Sequence, residues 1–237
     1  MERAYSIPGR VYNFREVFPL KKYQRIIHQW SWLLLFSFVI AGLFYPVIGM
    51  TAIICMLAPV VMAFFKGRMW CGYFCPRGSF NDIILTKLSR RIKVPAFFRT
   101  ILFRLLFLLL LISGFMIQII MAWDNLAAIG QIFVRMVLIT TILTILLGYF
   151  YQPRTWCLIC PMGTMAHFMA KIKACRSWGP HIFFKQGKCT GCQICSRNCP
   201  ILIDVYRYKE SRKVNHPDCL KCTTCVAKCP QKSLHVA

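Results

Sequence analysis

A membrane all-α region, a four-helix bundle, followed by a small cysteine-rich α+β domain is the fold class the sequence predicts. Three observations predict it. The mean hydropathy of the chain is +0.54, with apolar residues in long blocks rather than periodic stripes. Basic residues crowd the segments between those blocks. Eight of the 14 cysteines of the 237-residue chain stand in two repeated runs near the C-terminus.

A bilayer core about 30 Å thick takes about 20 apolar helical residues. The first block, from about Ile26 to Phe65, is broken by Gly42, Pro46 and Gly49, so helices are expected over 28–45 and 47–65. The second, from about Ile101 to Tyr151, is interrupted at Trp123, Asp124 and Asn125 and again at Gly130 and Gln131. Helices over 101–122 and 131–151 follow. Residues 1–29 have no short apolar core ending in a small-residue cleavage site, so no removable signal peptide is expected.

The chain carries 30 Lys and Arg against 7 Asp and Glu, a formal charge of +23. A basic surface of this kind seeks anionic partners, nucleic acid or anionic lipid. The placement favours lipid and excludes nucleic acid as the primary partner. Segments 1–29, 66–100, 152–188 and 189–237 hold 28 of the 30 basic residues, and the intervening turns hold none. Arg104 lies near the basic end of its helix, and only Arg135 falls towards the other side. The positive-inside rule therefore places both termini in the cytoplasm. The expected organisation is a basic N-terminal segment 1–29 and a helical region 30–151 with a cytoplasmic loop 66–100. A linker 152–185 and a cluster domain 186–237 complete it.

An internal repeat runs through the helical region. The second helix leads into Arg68-Met69-Trp70-Cys71, then three residues, then Cys75-Pro76-Arg77-Gly78-Ser79. The fourth leads into Arg154-Thr155-Trp156-Cys157, then two residues, then Cys160-Pro161-Met162-Gly163-Thr164. Two related helical hairpins are inferred, each ending at the cytoplasmic interface in a cysteine pair.

The chemistry is clearest near the C-terminus. Cys189, Cys192, Cys195 and Cys199-Pro200 are repeated as Cys219, Cys222, Cys225 and Cys229-Pro230. A cubane iron-sulfur cluster needs four thiolates, and this spacing lets three come from one loop while the cysteine before the proline ligates the other cluster. One [4Fe-4S] cluster is expected on Cys189, Cys192, Cys195 and Cys229, the second on Cys219, Cys222, Cys225 and Cys199. Paired cysteines also bind zinc, but a zinc site does not call for this duplicated eight-cysteine pattern with both prolines. The segment resembles a bacterial two-cluster ferredoxin, which implies two short β-hairpins and two small helices. From 186 to 237 there are nine basic residues against Asp204, Glu210 and Asp218. Such cations either raise the cluster potentials or face anionic lipid or an acidic partner.

Cys71, Cys75, Cys157 and Cys160 could converge beside the cluster domain. Three uses fit them: a further metal or cluster site, a thiol pair cycling with disulfide, or structural thiols. Cys55 reads as packing and Cys175 as a free thiol. Among the five histidines only His28 lies near a membrane helix, and no C-x-x-C-H occurs, so neither b-type nor attached c-type haem is expected. His28 or His167 could hydrogen-bond a quinone at the interface, and Asp124 and Asn125 could serve proton release or simply face water.

The four helices, the two Cys-Pro motifs and the C-terminal cysteine runs together resemble the NapH-type membrane polyferredoxins. These include the quinol dehydrogenase membrane component of periplasmic nitrate reduction and the C-terminal half of NosR-type proteins. Cys71, Cys75 and Pro76 match the family's first C-x3-C-P, whereas Cys157, Cys160 and Pro161 occupy the second with one residue fewer. The resemblance implies electron transfer between the quinone or quinol pool and another redox protein, in the inner (cytoplasmic) membrane of a prokaryote. A second reading is a redox-sensing or maturation protein whose clusters reduce a metal or thiol during assembly of a larger oxidoreductase.

Overall fold

The computed structural model describes residues 22–172, 180–185 and 187–236. Most of segment 1–29 and the linker residues 173–179, with Cys175, lie outside the described residues. Among the described residues four helical spans, Ile26–Phe44, Pro46–Lys66, Ile101–Met121 and Leu126–Phe150, are long and apolar enough to cross a membrane. The first, α1 (Lys22–Phe44), stops where Tyr45 precedes Pro46, a position that disfavours helix. A 3-10 turn, Pro46–Thr51, then leads directly into α2 (Ala52–Lys66). Gly67 ends α2 at φ +62, and its N–H donates to Ala63 O at 3.2 Å.

After α2 the chain makes two short helices, α3 (Met69–Tyr73) and α4 (Pro76–Phe80), then a wide turn, Asn81–Leu85, and α5 (Thr86–Leu88). A 3-10 turn, Ala96–Arg99, delivers it to α6 (Ile101–Met121). The fourth long helix, α7, spans Leu126–Phe150. It begins five residues before the expected 131, because Asn125 caps it: the side-chain oxygen accepts from the N–H groups of Ala127 and Ala128 at 3.0 and 3.2 Å. Asn125, read from sequence as a candidate for proton release, is thus a helix cap. Gly130, read as a polar interruption, lies inside α7. There the α7 backbone meets the Pro46–Thr51 turn so closely that a Cβ on Gly130 would collide with the Pro46 carbonyl, and one on Gly49 with the Gly130 carbonyl.

The outer surface of these helices is apolar. Leu34, Leu43, Phe44, Ile54, Leu109, Leu110, Ile120 and Ile139 are all more than half exposed. In α6 the single buried residue is Arg104. A helix that shows leucine outward and hides an arginine has its apolar face towards something other than water.

Beyond α7 come α8 (Trp156–Ile159) and α9 (Pro161–Lys171), the second copies of α3 and α4. In both copies a proline opens the helix after the second cysteine, where its missing N–H costs nothing. The C-terminal part holds β1 (Ile182–Phe184), α10 (Ile194–Arg197), α11 (Thr224–Ala227) and β2 (Leu234–Val236). β1 pairs antiparallel with β2, Phe183 opposite His235. The second expected hairpin is reduced, among the described residues, to a bridge between Phe183 and Lys213. Phe184 N–H donates to Arg212 O and Val214 N–H to Ile182 O, so this stretch leans on the same strand β1.

One core joins the two parts. Val94, Phe98, Trp156, Leu158 and Ile159 from the helical side pack with Ile182, Phe184, Ile201, Ile203, Val205, Val214, Leu220 and Leu234. Cys71, Cys157 and Cys160 press on the same cluster as Cys189, Cys199, Cys219, Cys222 and Cys229.

The close approach at Gly130 gives a test of the helix packing. Gly130→Ala should destabilise the protein in detergent by about 1–3 kcal/mol. Gly114→Ala, where an added methyl meets nothing within 4 Å, should leave thermal unfolding unchanged or slightly raised.

Candidate metal centre

The two C-terminal cysteine runs repeat one another in backbone conformation as well as in sequence. Two residues after the first cysteine of each run, Gly191 and Lys221 have φ of 78 and 55°. Directly after the second, Gln193 and Thr223 have 56 and 59°. Three after the cysteine that precedes proline, Leu202 and Lys232 have 59 and 46°. Five of these six are not glycine, and a left-handed L-residue costs about 1–2 kcal/mol. Such turns aim successive backbone N–H groups at one point, the arrangement that surrounds an anionic iron-sulfur centre.

Cys189, Cys192, Cys195 and Cys229 line a single small cavity. These are the four the spacing assigns to one cluster. Cys199, Cys219, Cys222 and Cys225 lie within electrostatic reach of one another, and burial pushes Cys199 up to about 12 and Cys219 up to about 11. Cys199 and Cys219 stay protonated at neutral pH unless a metal takes the proton's place. Among the described residues no three His, Cys, Asp or Glu side chains are close enough to hold a single metal ion. The fit to clusters therefore rests on loop conformation and on which cysteines share a cavity.

Cys71, Cys75, Cys157 and Cys160 come from both copies of the repeat to one region of the structure. Cys71 lies within electrostatic reach of Cys75, Cys157 and Cys160, and Cys157 of Cys75. Burial pushes Cys71 up to about 11 and raises Cys75 and Cys157. Cys55 is exposed on α2.

The arginines of the repeat lock these segments to one another. Arg68 Nη2 donates to Cys157 O at 2.8 Å, and Arg154 Nη1 donates to Cys71 O at 2.7 Å. Each copy's arginine thus holds the first cysteine of the other copy. The motif glycine makes room for this exchange: a Cβ on Gly163 would lie 2.6 Å from Arg68 Nη2, and one on Gly78 3.2 Å from Arg154 Nη1.

Each buried guanidinium then needs a carboxylate. Arg154 bonds both oxygens of Asp82, at 2.8 and 2.5 Å, and His28 Nε2 lies 3.1 Å from Asp82 Oδ2. Burial alone would raise the Asp82 carboxyl, but Arg154 and His28 hold it down at about 2. In the second copy the residue seven beyond Cys160 is His167, whereas seven beyond Cys75 stands Asp82. The missing carboxylate comes from the cluster domain. Asp218, next to Cys219, accepts from Arg68 Nη1 at 2.5 Å and from Arg104 Nη1 and Nη2 at 2.9 and 3.0 Å, with His167 Nδ1 3.0 Å away. Against the cost of burial, His167 and the two arginines hold this carboxyl far below the ordinary carboxylate range.

The loop that follows is seated on α3. Tyr73 Oη donates to Lys221 O at 2.6 Å, and a Cβ on Gly72 would lie 2.6 Å from Leu220 O. His28 and His167, read from sequence as quinone contacts, are bound into these ion clusters, His28 also to Tyr73 O. Sequence reasoning missed Asp82, Asp218 and Arg104. The arginines of the R-x-W-C repeat were visible, and a buried partner for each was the signal available.

A family model described as a 4Fe-4S binding domain matches residues 48–95 and 134–182, the two copies of the Cys-Pro repeat. A second, a 4Fe-4S dicluster domain, matches residues 181–230. Two proteins of Methanocaldococcus jannaschii are similar, the uncharacterized protein MJ0749 and the uncharacterized protein MJ0750. The first is 23% identical over 213 residues, 84% of this chain and 80% of its own. The second is 23% identical over 188 residues, 74% of each. No solved structure matches. The chain is an iron-sulfur protein with a C-terminal 4Fe-4S ferredoxin domain.

Asp218→Asn would leave Arg68 and Arg104 buried without their counter-charge. It should cost about 3–5 kcal/mol and release the C-terminal part to limited proteolysis. Glu210→Gln, at an exposed carboxylate, should do neither.

Proposed function

We propose that this protein is a membrane electron conduit, passing single electrons between the quinone pool and a redox partner through its clusters. The observation that carries the reading is the shared core, against which Cys71, Cys157 and Cys160 of the Cys-Pro motifs and seven of the ferredoxin cysteines pack. Four apolar helices, exposed along their leucine-rich faces, support membrane residence. The basic segments at one end of those helices support a cytoplasmic cluster domain in the inner membrane of a prokaryote, with both termini on that side.

Two [4Fe-4S] clusters are proposed on the ligand sets given above, and a third on Cys71, Cys75, Cys157 and Cys160. When bound, such a cluster takes up and gives back one electron at a time. The residues of the chain set what surrounds it. Arg68 and Arg154 both act on Cys71 and Cys157 and supply positive charge against thiolates that would otherwise be buried unpaired. Asp82 and Asp218 keep those arginines from turning away. The 4Fe-4S binding model that matches both Cys-Pro copies supports the same assignment.

Quinol oxidation yields two electrons and two protons, so one quinol would fill two one-electron sites in succession. In the conduit reading, electrons enter from the membrane side through the Cys-Pro site and leave through the ferredoxin domain, or travel the reverse way.

Cys157→Ser should abolish reduction of the C-terminal clusters by quinol while dithionite, which reaches exposed clusters directly, still reduces them. An unchanged rate with quinol would make the Cys-Pro thiols structural. Reactivity of the four cysteines as a disulfide-forming pair would favour the thiol-reducing maturation role.

A further inference from the structure

Beside the second ferredoxin cluster's ligands lies a cavity of about 410 Å³, within the range of small-ligand sites. One wall is the loop between α5 and α6, another is Gln152–Arg154 just past the end of α7, and the back is Cys199, Pro200 and Cys222. Its charge is one-sided. Arg91, Lys93, Arg99, Arg154 and Arg197 line it, against Asp82 and Asp204. Asp82 and Arg154 are committed to each other, so the excess is carried by the other four cations, and Asp204 accepts from Ser196 at 2.7 Å. Neutral donors complete the lining, among them Gln152, Asn198 and Thr224.

Arginine and lysine around a concave site with amide and hydroxyl donors are the groups that bind phosphate oxygens. The cavity opens where α6 begins and α7 ends, at the level that phospholipid headgroups occupy if these helices cross a bilayer. We propose that this cavity is a binding site for a phosphate-bearing anion, either an anionic phospholipid headgroup or a soluble phosphate compound, placed against the cluster held by Cys199, Cys219, Cys222 and Cys225. Binding itself needs only the cavity. A second consequence rests on the cluster reading above: an anion at this wall opposes the negative charge added on reduction and lowers the potential of that cluster more than that of the other. Cys199 and Cys222 themselves line the cavity, whereas Cys189, Cys192, Cys195 and Cys229 line a second one that shares only Gln193 with it. Occupancy would therefore change the order in which the two fill.

The full-length protein, prepared anaerobically and with its iron measured, is placed in phosphatidylcholine nanodiscs with or without phosphatidylglycerol. Binding of labelled inorganic phosphate, retention of phosphatidylglycerol, and the two cluster potentials are read. If the source is soluble, phosphate binds in phosphatidylcholine discs and lowers one potential more than the other. If it is lipid, phosphatidylglycerol is retained and lowers one potential more than the other, and phosphate does neither. In Lys93→Gln/Arg99→Gln, at two exposed positions, the binding should weaken by about tenfold or more and the shift should vanish, with iron content unchanged. The proposal is overturned if neither probe binds, if the variant binds as tightly as the parent, or if chloride at equal ionic strength reproduces the shift. Phosphate or lipid binding that the variant loses, in a protein without iron, would uphold the cavity and refute the cluster reading instead.

Discussion

Asp218 carries its charge into the interior, where Arg68 and Arg104 donate three hydrogen bonds to it. The three groups come from different parts of the chain: the segment after α2, the start of α6, and the first turn of the second ferredoxin motif. None could be buried alone, since an ion leaving water loses several kcal/mol of solvation that only a well-placed partner offsets. The requirement is mutual, and it fixes position. With Asp218 held, Cys219 is held beside it, Leu220 and Lys221 lie on α3, and Cys222 packs against Met69 and Tyr73 of the same helix. Beside this ion cluster and the Tyr73–Lys221 hydrogen bond, the shared core is apolar and non-directional. It contributes burial but does not choose a register.

The two copies of the repeat show why that carboxylate sits where it does. A duplicated hairpin brings two arginines inward, and each reaches across to the other copy's first cysteine. One copy satisfies its partner's arginine from within the helical region through Asp82. The other has His167 at the equivalent position and leaves a place for a carboxylate from outside. The asymmetry between the copies thus coincides with the attachment point of the cluster domain. The missing residue between Cys157 and Cys160 falls in the same copy.

Much of this was legible in the sequence. Helix number and approximate span follow from the length of apolar runs, and the eight ferredoxin cysteines are spaced for two sets of four. The C-terminal backbone carries that duplication into its left-handed turns, which a reading of residue types alone would not place at Lys221 or Leu202. Helix starts were less legible. Gly130 and Gln131 resemble a turn in composition, yet Asn125 caps the helix earlier, and Gly130 is needed for backbone contact with Pro46. Least legible were the ion clusters. Asp82 and Arg154 are 72 positions apart, and Asp218 and Arg68 are 150 apart. No local pattern records such pairings. A chain with 30 basic residues and 7 acidic ones offers few carboxylates, however, and two of them are placed where a repeated arginine is buried.

Iron and acid-labile sulfide, counted in anaerobically purified full-length protein and in its Cys71→Ser/Cys157→Ser variant, report the number of clusters most directly. Three cubane clusters predict about twelve of each per chain in the parent, and loss of the Cys-Pro site predicts about eight in the variant. The same count of about eight in both would remove the third centre and the membrane-side entry point with it. Zinc without labile sulfide in the parent would rule out iron-sulfur clusters, and electron transfer through them, altogether.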